Sequence, residues 1–133
     1  MNEQQVWRGE YGIEVAAAAE IIWGIFRDVP AWKTWNPGVE QIDIDGPFAS
    51  GTWFTMKPPG EDPLRSRLVD VRENECFVDE TRLGELAVTV AHRIRPLASG
   101  RTHIVYAVEA VGPEASVIGP AVRSEERRVG KEC

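Results

Sequence analysis

Two histidines, two tyrosines and two cysteines carry most of the chemical reach of this 133-residue chain. His92 stands in "ELAVTVAHRIR" on the same alternating row as Leu86, Val88, Val90 and Ile94, which is apolar throughout. An imidazole on such a row could act as a general acid or base, or orient a ligand carbonyl. A plain core histidine fits the same place and is the weightier account. Tyr106, in "RTHIVYAVEAV", shares a row with Thr102, Ile104 and Val108 and could aim its hydroxyl into the same interior. The alternative is a buried tyrosine bonded to backbone. His92 and Tyr106 are thus the two candidate catalytic groups.

The remaining reactive residues point elsewhere. His103 falls on the opposite row, with Val105, Ala107 and Glu109, so it should face solvent and a His92–His103 metal pair is not expected. Cys76 lies near a turn with no histidine close in sequence to draw off its proton, and reads as a small structural residue. Arg65 and Arg67 follow the "PPGEDP" loop and could meet an acidic ligand group, although solvated strand arginines explain them more simply. The sequence holds no phosphate-cradling glycine loop, Gly-x-Ser-x-Gly elbow, His-Glu-x-x-His or zinc-spaced cysteine set. No metal and no cofactor is expected.

The elements that would position these groups follow from periodicity. "QVWRGEYGIEV" alternates, with Trp7, Tyr11, Ile13 and Val15 on the core side of a first strand. "AAAAEIIWGIFRDV" is rich in helix formers, and Ile21, Ile22, Ile25, Phe26 and Val29 recur at helical spacing until Pro30 stops it. A short turn of helix spans Trp32 to Trp35 before Asn36-Pro37-Gly38 breaks the chain. Six further strands follow, within "VEQIDID", "GTWFTMK", "LRSRLVDV", "ECFVDETR", "ELAVTVAHRIR" and "RTHIVYAVEAV". Their close spacing implies an antiparallel meander and an α+β fold, and "GPEASVIGPAV" opens a last helix.

Composition narrows the class. Hydrophobic residues make up 43% and charged residues 27%, as in a globular single domain, and no apolar run approaches the ~20 residues of a membrane span. The N-terminus lacks a signal-peptide pattern, so a cytoplasmic setting is expected. With 15 basic against 21 acidic residues the net charge is −6, which argues against a nucleic-acid surface.

The final run, "RSEERRVGKEC", has neither apolar period nor cap. Codon by codon it matches the forward translation of a common short-read sequencing adapter. Residues 123–133 are therefore read as a scar and residues 1–122 as the domain, its terminal helix incomplete. Without the scar the charge is −7 and Cys76 stands alone.

The ordered set "IIWGIFRDVPAWKTWNPGV", "GPFASGTWFTMKPPG", "HRIRPLASGRTHIVYAVEAVGP" and "IGPAV" resembles the START-like or SRPBCC superfamily, the helix-grip proteins that include polyketide cyclase/dehydrase-like members. The resemblance implies a curved seven-stranded antiparallel sheet gripping a C-terminal helix, two short N-terminal helices, and an apolar cavity between sheet and helix. It places Trp32 and Trp35 at the cavity entrance, although both could simply cover the sheet edge. Phe54 and Met56 are assigned to the cavity face, with core packing equally open, and Val90, His92, Ile104 and Tyr106 to the same lining. The implied function is binding of a hydrophobic or aromatic small molecule, lipid- or polyketide-like. The alternatives are a cyclase or dehydratase moving protons through His92 and Tyr106, and an interaction protein docking a partner in the groove.

Overall fold

The computed structural model describes residues 5–122; the segment read as a scar lies outside them. Strand β1 (Val6–Val15) alternates exposed and half-buried positions along its length, with Trp7, Tyr11, Ile13 and Val15 inward. Helix α1 (Ala19–Arg27) begins three residues later than its alanine run, because the preceding linker is held in another way. There the buried Thr102 hydroxyl donates to the Ala17 carbonyl at 2.6 Å. The helix buries Ala19, Ile22, Trp23 and Phe26, one i, i+3, i+4, i+7 stripe. Ile21 is instead 59% exposed, a correction to the sequence reading. Trp23 takes the inward place, meeting Phe48 edge-on at 5.7 Å between ring centroids.

A 3₁₀ turn (Val29–Ala31) and helix α2 (Trp32–Trp35) complete the N-terminal cover. Pro30 cannot supply the N–H that the Phe26 carbonyl would take from the fourth residue on. The Trp32 indole N–H fills the vacancy, donating to the Phe26 carbonyl at 2.9 Å. A proline that ends one helix thereby fixes a tryptophan in the next.

Strands β2 (Gln41–Ile44), β3 (Trp53–Lys57), β4 (Leu64–Arg72), β5 (Cys76–Leu83), β6 (Leu86–Pro96) and β7 (Thr102–Val111) form an antiparallel meander. β1 pairs β7 from Val6↔Val111 to Val15↔Thr102, giving one seven-stranded sheet in the order β1-β7-β6-β5-β4-β3-β2. The register jumps from Leu68↔Asp79 to Asp70↔Val78, so Val69 is an extra residue that bends β4. A third helix, α3, occupies 115–122 among the described residues. No helix among those residues is long and apolar enough to cross a membrane.

The inner face of the sheet carries two separate apolar clusters. Under α1 and α2 lie Leu68, Phe77, Ile94 and Ile104 with Phe26 and Trp32. Under α3 lie Leu86, Val88, Val90, Val108 and Ala110 with Ala115, flanked by Trp7, Ile118 and Val122. Two glycines let α3 settle. Gly112 has φ +128°, and a Cβ there would stand 2.6 Å from the Glu85 carbonyl oxygen. Gly119 lies so close over Trp7 that a Cβ would come within 2.3 Å of the indole ring. The outer face is polar and laced by ion pairs such as Arg8–Glu109 at 2.7 Å and Arg65–Asp45 at 2.9 Å, each worth at most about 1 kcal/mol.

Candidate functional site

Where the two clusters leave the inner face uncovered, a cavity of about 680 Å³ opens. That is room for a drug-sized molecule. Its α side is aromatic: Phe26 from α1, Trp32 and Trp35 from α2, then the Asn36–Val39 turn. The Asn36 side-chain carbonyl accepts the Gly38 N–H at 2.9 Å and holds that turn in place. Phe54 and Met56 come from β3, while Ala121 and Val122 reach the site from α3.

The sheet side supplies the polar atoms. Antiparallel pairing sets β5, β6 and β7 side by side, with Phe77 opposite His92 and His92 opposite Tyr106. His92 is 7% exposed; its ring lies flat on Phe77 at 3.9 Å between centroids and meets Tyr106 edge-on at 5.4 Å. Its Nδ1 is 3.3 Å from the Phe77 carbonyl oxygen and 3.9 Å from an Asp79 carboxylate oxygen. Both neighbours are acceptors, so Nδ1 carries the hydrogen and a neutral imidazole keeps its lone pair on Nε2. Beside this group the Ser66 and Thr81 hydroxyls bond to each other at 2.6 Å.

Trp32, Trp35, Phe54, Met56, Val90, His92 and Tyr106 all line the cavity. Ile104 does not: it is fully buried in the cluster beneath α1, and sharing a row with Tyr106 fixes its face but not its place along the strand relative to the cavity. The Trp35 indole N–H is buried without an acceptor among the described residues. Such a donor costs about 1–3 kcal/mol. His103 projects from the outer face, where its ring lies over Gly12. Arg65 is also on the outer face, bonded to Asp45 and to the Thr55 hydroxyl, and both Arg65 and Arg67 flank the exposed Trp53 ring. Cys76 pairs across the outer rows with Arg72 and Arg93; burial, and then the Asp70 carboxylate, push its thiol up from the usual range. Among the described residues no three His, Cys, Asp or Glu side chains gather as a metal site would need.

Sequence reasoning missed Asp79, Ser66 and Thr81. The signal was present in β5, where Phe77, Asp79 and Thr81 share a row. An acidic residue in a strand ordinarily marks the solvent row, and here it marks the inner one.

The family described as polyketide cyclase / dehydrase and lipid transport matches residues 6–131. No curated protein sequence matches. Among solved structures, norcoclaurine synthase from Thalictrum flavum superposes with a TM-score of 0.71 at 18% identity, covering 96% of this chain and 87% of that one. The Zhui aromatase/cyclase from Streptomyces sp. R1128 gives 0.74 at 17% identity, over 96% and 94% of the two chains. A START superfamily protein from Mycobacterium smegmatis gives 0.70 at 20%, over 94% and 90%. At these identities the likeness is one of fold.

Proposed function

This chain belongs to the polyketide cyclase / dehydrase and lipid transport family, and from that premise we propose that it binds a hydrophobic or aromatic small molecule in the cavity between sheet and α3. The observation that carries the proposal is the cavity's asymmetry, an aromatic wall from Phe26, Trp32, Trp35 and Phe54 facing the polar strip Asp79, His92 and Tyr106. Affinity would come mainly from buried ligand surface, and orientation from the polar strip. A titration with the apolar fluorophore N-phenyl-1-naphthylamine tests this. Saturable binding is expected, lost in a Val90→Phe variant that narrows the cavity and retains its circular dichroism spectrum. Absence of saturation, or full binding by the variant, overturns the proposal.

A second reading is favoured by one observation, the Asp79 carboxylate beside the His92 ring. His92 Nε2 could take a proton from carbon next to a ligand carbonyl while Tyr106 donates to the carbonyl oxygen, as an aldol closure or dehydration requires. His92→Ala and Tyr106→Phe should then keep affinity and abolish turnover of a polyketide-like substrate. If neither variant alters turnover, the enzyme reading fails and binding alone remains.

A further inference from the structure

Trp35 is left chemically incomplete by the resting protein. Its ring is half-buried on the cavity wall, and its Nε1 is shut off from solvent with no acceptor among the described residues. The acceptors nearest to it along the chain are already engaged. The Ala31 carbonyl takes the Thr34 hydroxyl at 2.6 Å, the Trp32 carbonyl takes the Asn36 N–H at 2.8 Å, and the Asn36 backbone carbonyl takes the Val39 N–H at 3.1 Å. The Asn36 side-chain carbonyl is held by the Gly38 N–H. Trp32 makes the contrast, since its own N–H has the Phe26 carbonyl.

A buried donor without a partner forfeits the hydrogen bonds it would make in water, and in a native structure such a group calls for a use. Water does not reach Nε1 at rest, because the atom has almost no accessible surface. The ring nevertheless borders the open volume of the cavity. The torsion that carries an indole ring is broad, so a modest turn can bring the N–H to an acceptor held there. Little opposes that turn: among the described residues the one ring against Trp35 is Trp32, tilted by 59° at 6.4 Å between centroids. A hydrocarbon ligand would leave the donor unpaired, whereas a neutral oxygen would satisfy it without bringing a charge against an apolar wall.

Resting on the cavity-binding proposal above, we infer that Trp35 is a specificity residue whose indole turns on binding and donates to the ligand. The ligand therefore carries a neutral acceptor oxygen, best a carbonyl, at the end that lies against α2.

The test uses two compounds that differ in an oxygen for a methylene, 2-acetylnaphthalene and 2-isopropenylnaphthalene, each displacing N-phenyl-1-naphthylamine from the full chain. The ratio of their affinities cancels the apolar contact that they share. That ratio should favour the ketone more in the wild type than in Trp35→Phe, by at least about fivefold. In proton NMR of the wild type, the Trp35 indole N–H signal should lie further downfield in the ketone complex than in the hydrocarbon complex. An equal ratio in the two proteins, or an indole signal that responds alike to both compounds, overturns the inference. The NMR comparison decides it even if the variant fails to fold. Failure of both compounds to displace the probe defeats the cavity-binding proposal instead, so the two outcomes are separable.

Discussion

Two glycines in two helices should respond oppositely to the same substitution. Gly24 lies on the exposed side of α1, and a Cβ built there meets nothing within 4 Å. Gly24→Ala should therefore give only the helix-propensity gain of about 0.5–1 kcal/mol. At Gly119 the new Cβ would stand 2.3 Å from Trp7 Cε3 and 2.7 Å from Cδ2. Carbon atoms pack at about 3.5–4.0 Å, so α3 or the indole must move by more than about 1 Å. Overpacking of this kind costs about 1–3 kcal/mol, and subtracting the propensity gain leaves a loss of up to about 2.5 kcal/mol. In a chain of this size that lowers the melting temperature by up to about 8 °C. Thermal unfolding followed by circular dichroism measures both variants, and naphthylamine affinity should fall in Gly119→Ala, since Ala121 and Val122 move with the helix. If Gly119→Ala melts above the wild type, as Gly24→Ala should, α3 does not rest on Trp7 and this cover of the cavity is misplaced.

The two tryptophans of α2 form a similar contrast. Trp32→Phe removes the donor that satisfies the Phe26 carbonyl, at a cost of about 1–3 kcal/mol beyond lost packing, whereas Trp35→Phe removes a donor with no acceptor among the described residues and should cost much less in urea unfolding. Equal losses would refute the capping role given to Trp32. Cys76, held as a neutral thiol by burial and Asp70, should alkylate with iodoacetamide at pH 8 more slowly than a cysteine in a short peptide, as read by peptide mass mapping. Its folded-state shift is upward, so its contribution to stability is present below the ordinary thiol range and is lost as pH rises through the shifted value. We also propose that residues 123–133 are an adapter-derived scar. A long read of source DNA across the Val122 codon should continue into an amphipathic helix of roughly 20 residues, and a genuine stop after Cys133 would refute it.

Strand parity was legible because an antiparallel sheet with one covered face imposes a period of two; β1 and β7 obey it residue by residue, and β6 does so apart from the buried Ala91 and the exposed Pro96. The short α2 turn was equally plain, bounded by Pro30 and by Asn36-Pro37-Gly38. The phase of α1 was not: Ile21, Ile22 and Trp23 are three apolar residues in a row, and only the position of Phe48 decides which of them turns inward. Cavity membership was harder still. Ile104 and Tyr106 are indistinguishable by row and share one buried cluster, yet only Tyr106 lines the cavity. Asp79 escaped notice because strand patterning places carboxylates in water, and a binding site is where that pattern is broken.

Because β1 finds its neighbour only in β7, the order of synthesis matters. The meander from β2 to β7 can zip up locally as it leaves the ribosome, hairpin by hairpin. The first strand cannot, and at about 5–20 residues per second it waits roughly 5–20 s for its partner to be made. Throughout that interval Trp7, Tyr11, Ile13 and Val15 lack their native cover, and a nascent chain of this design is a natural client for a chaperone that shields hydrophobic N-terminal segments.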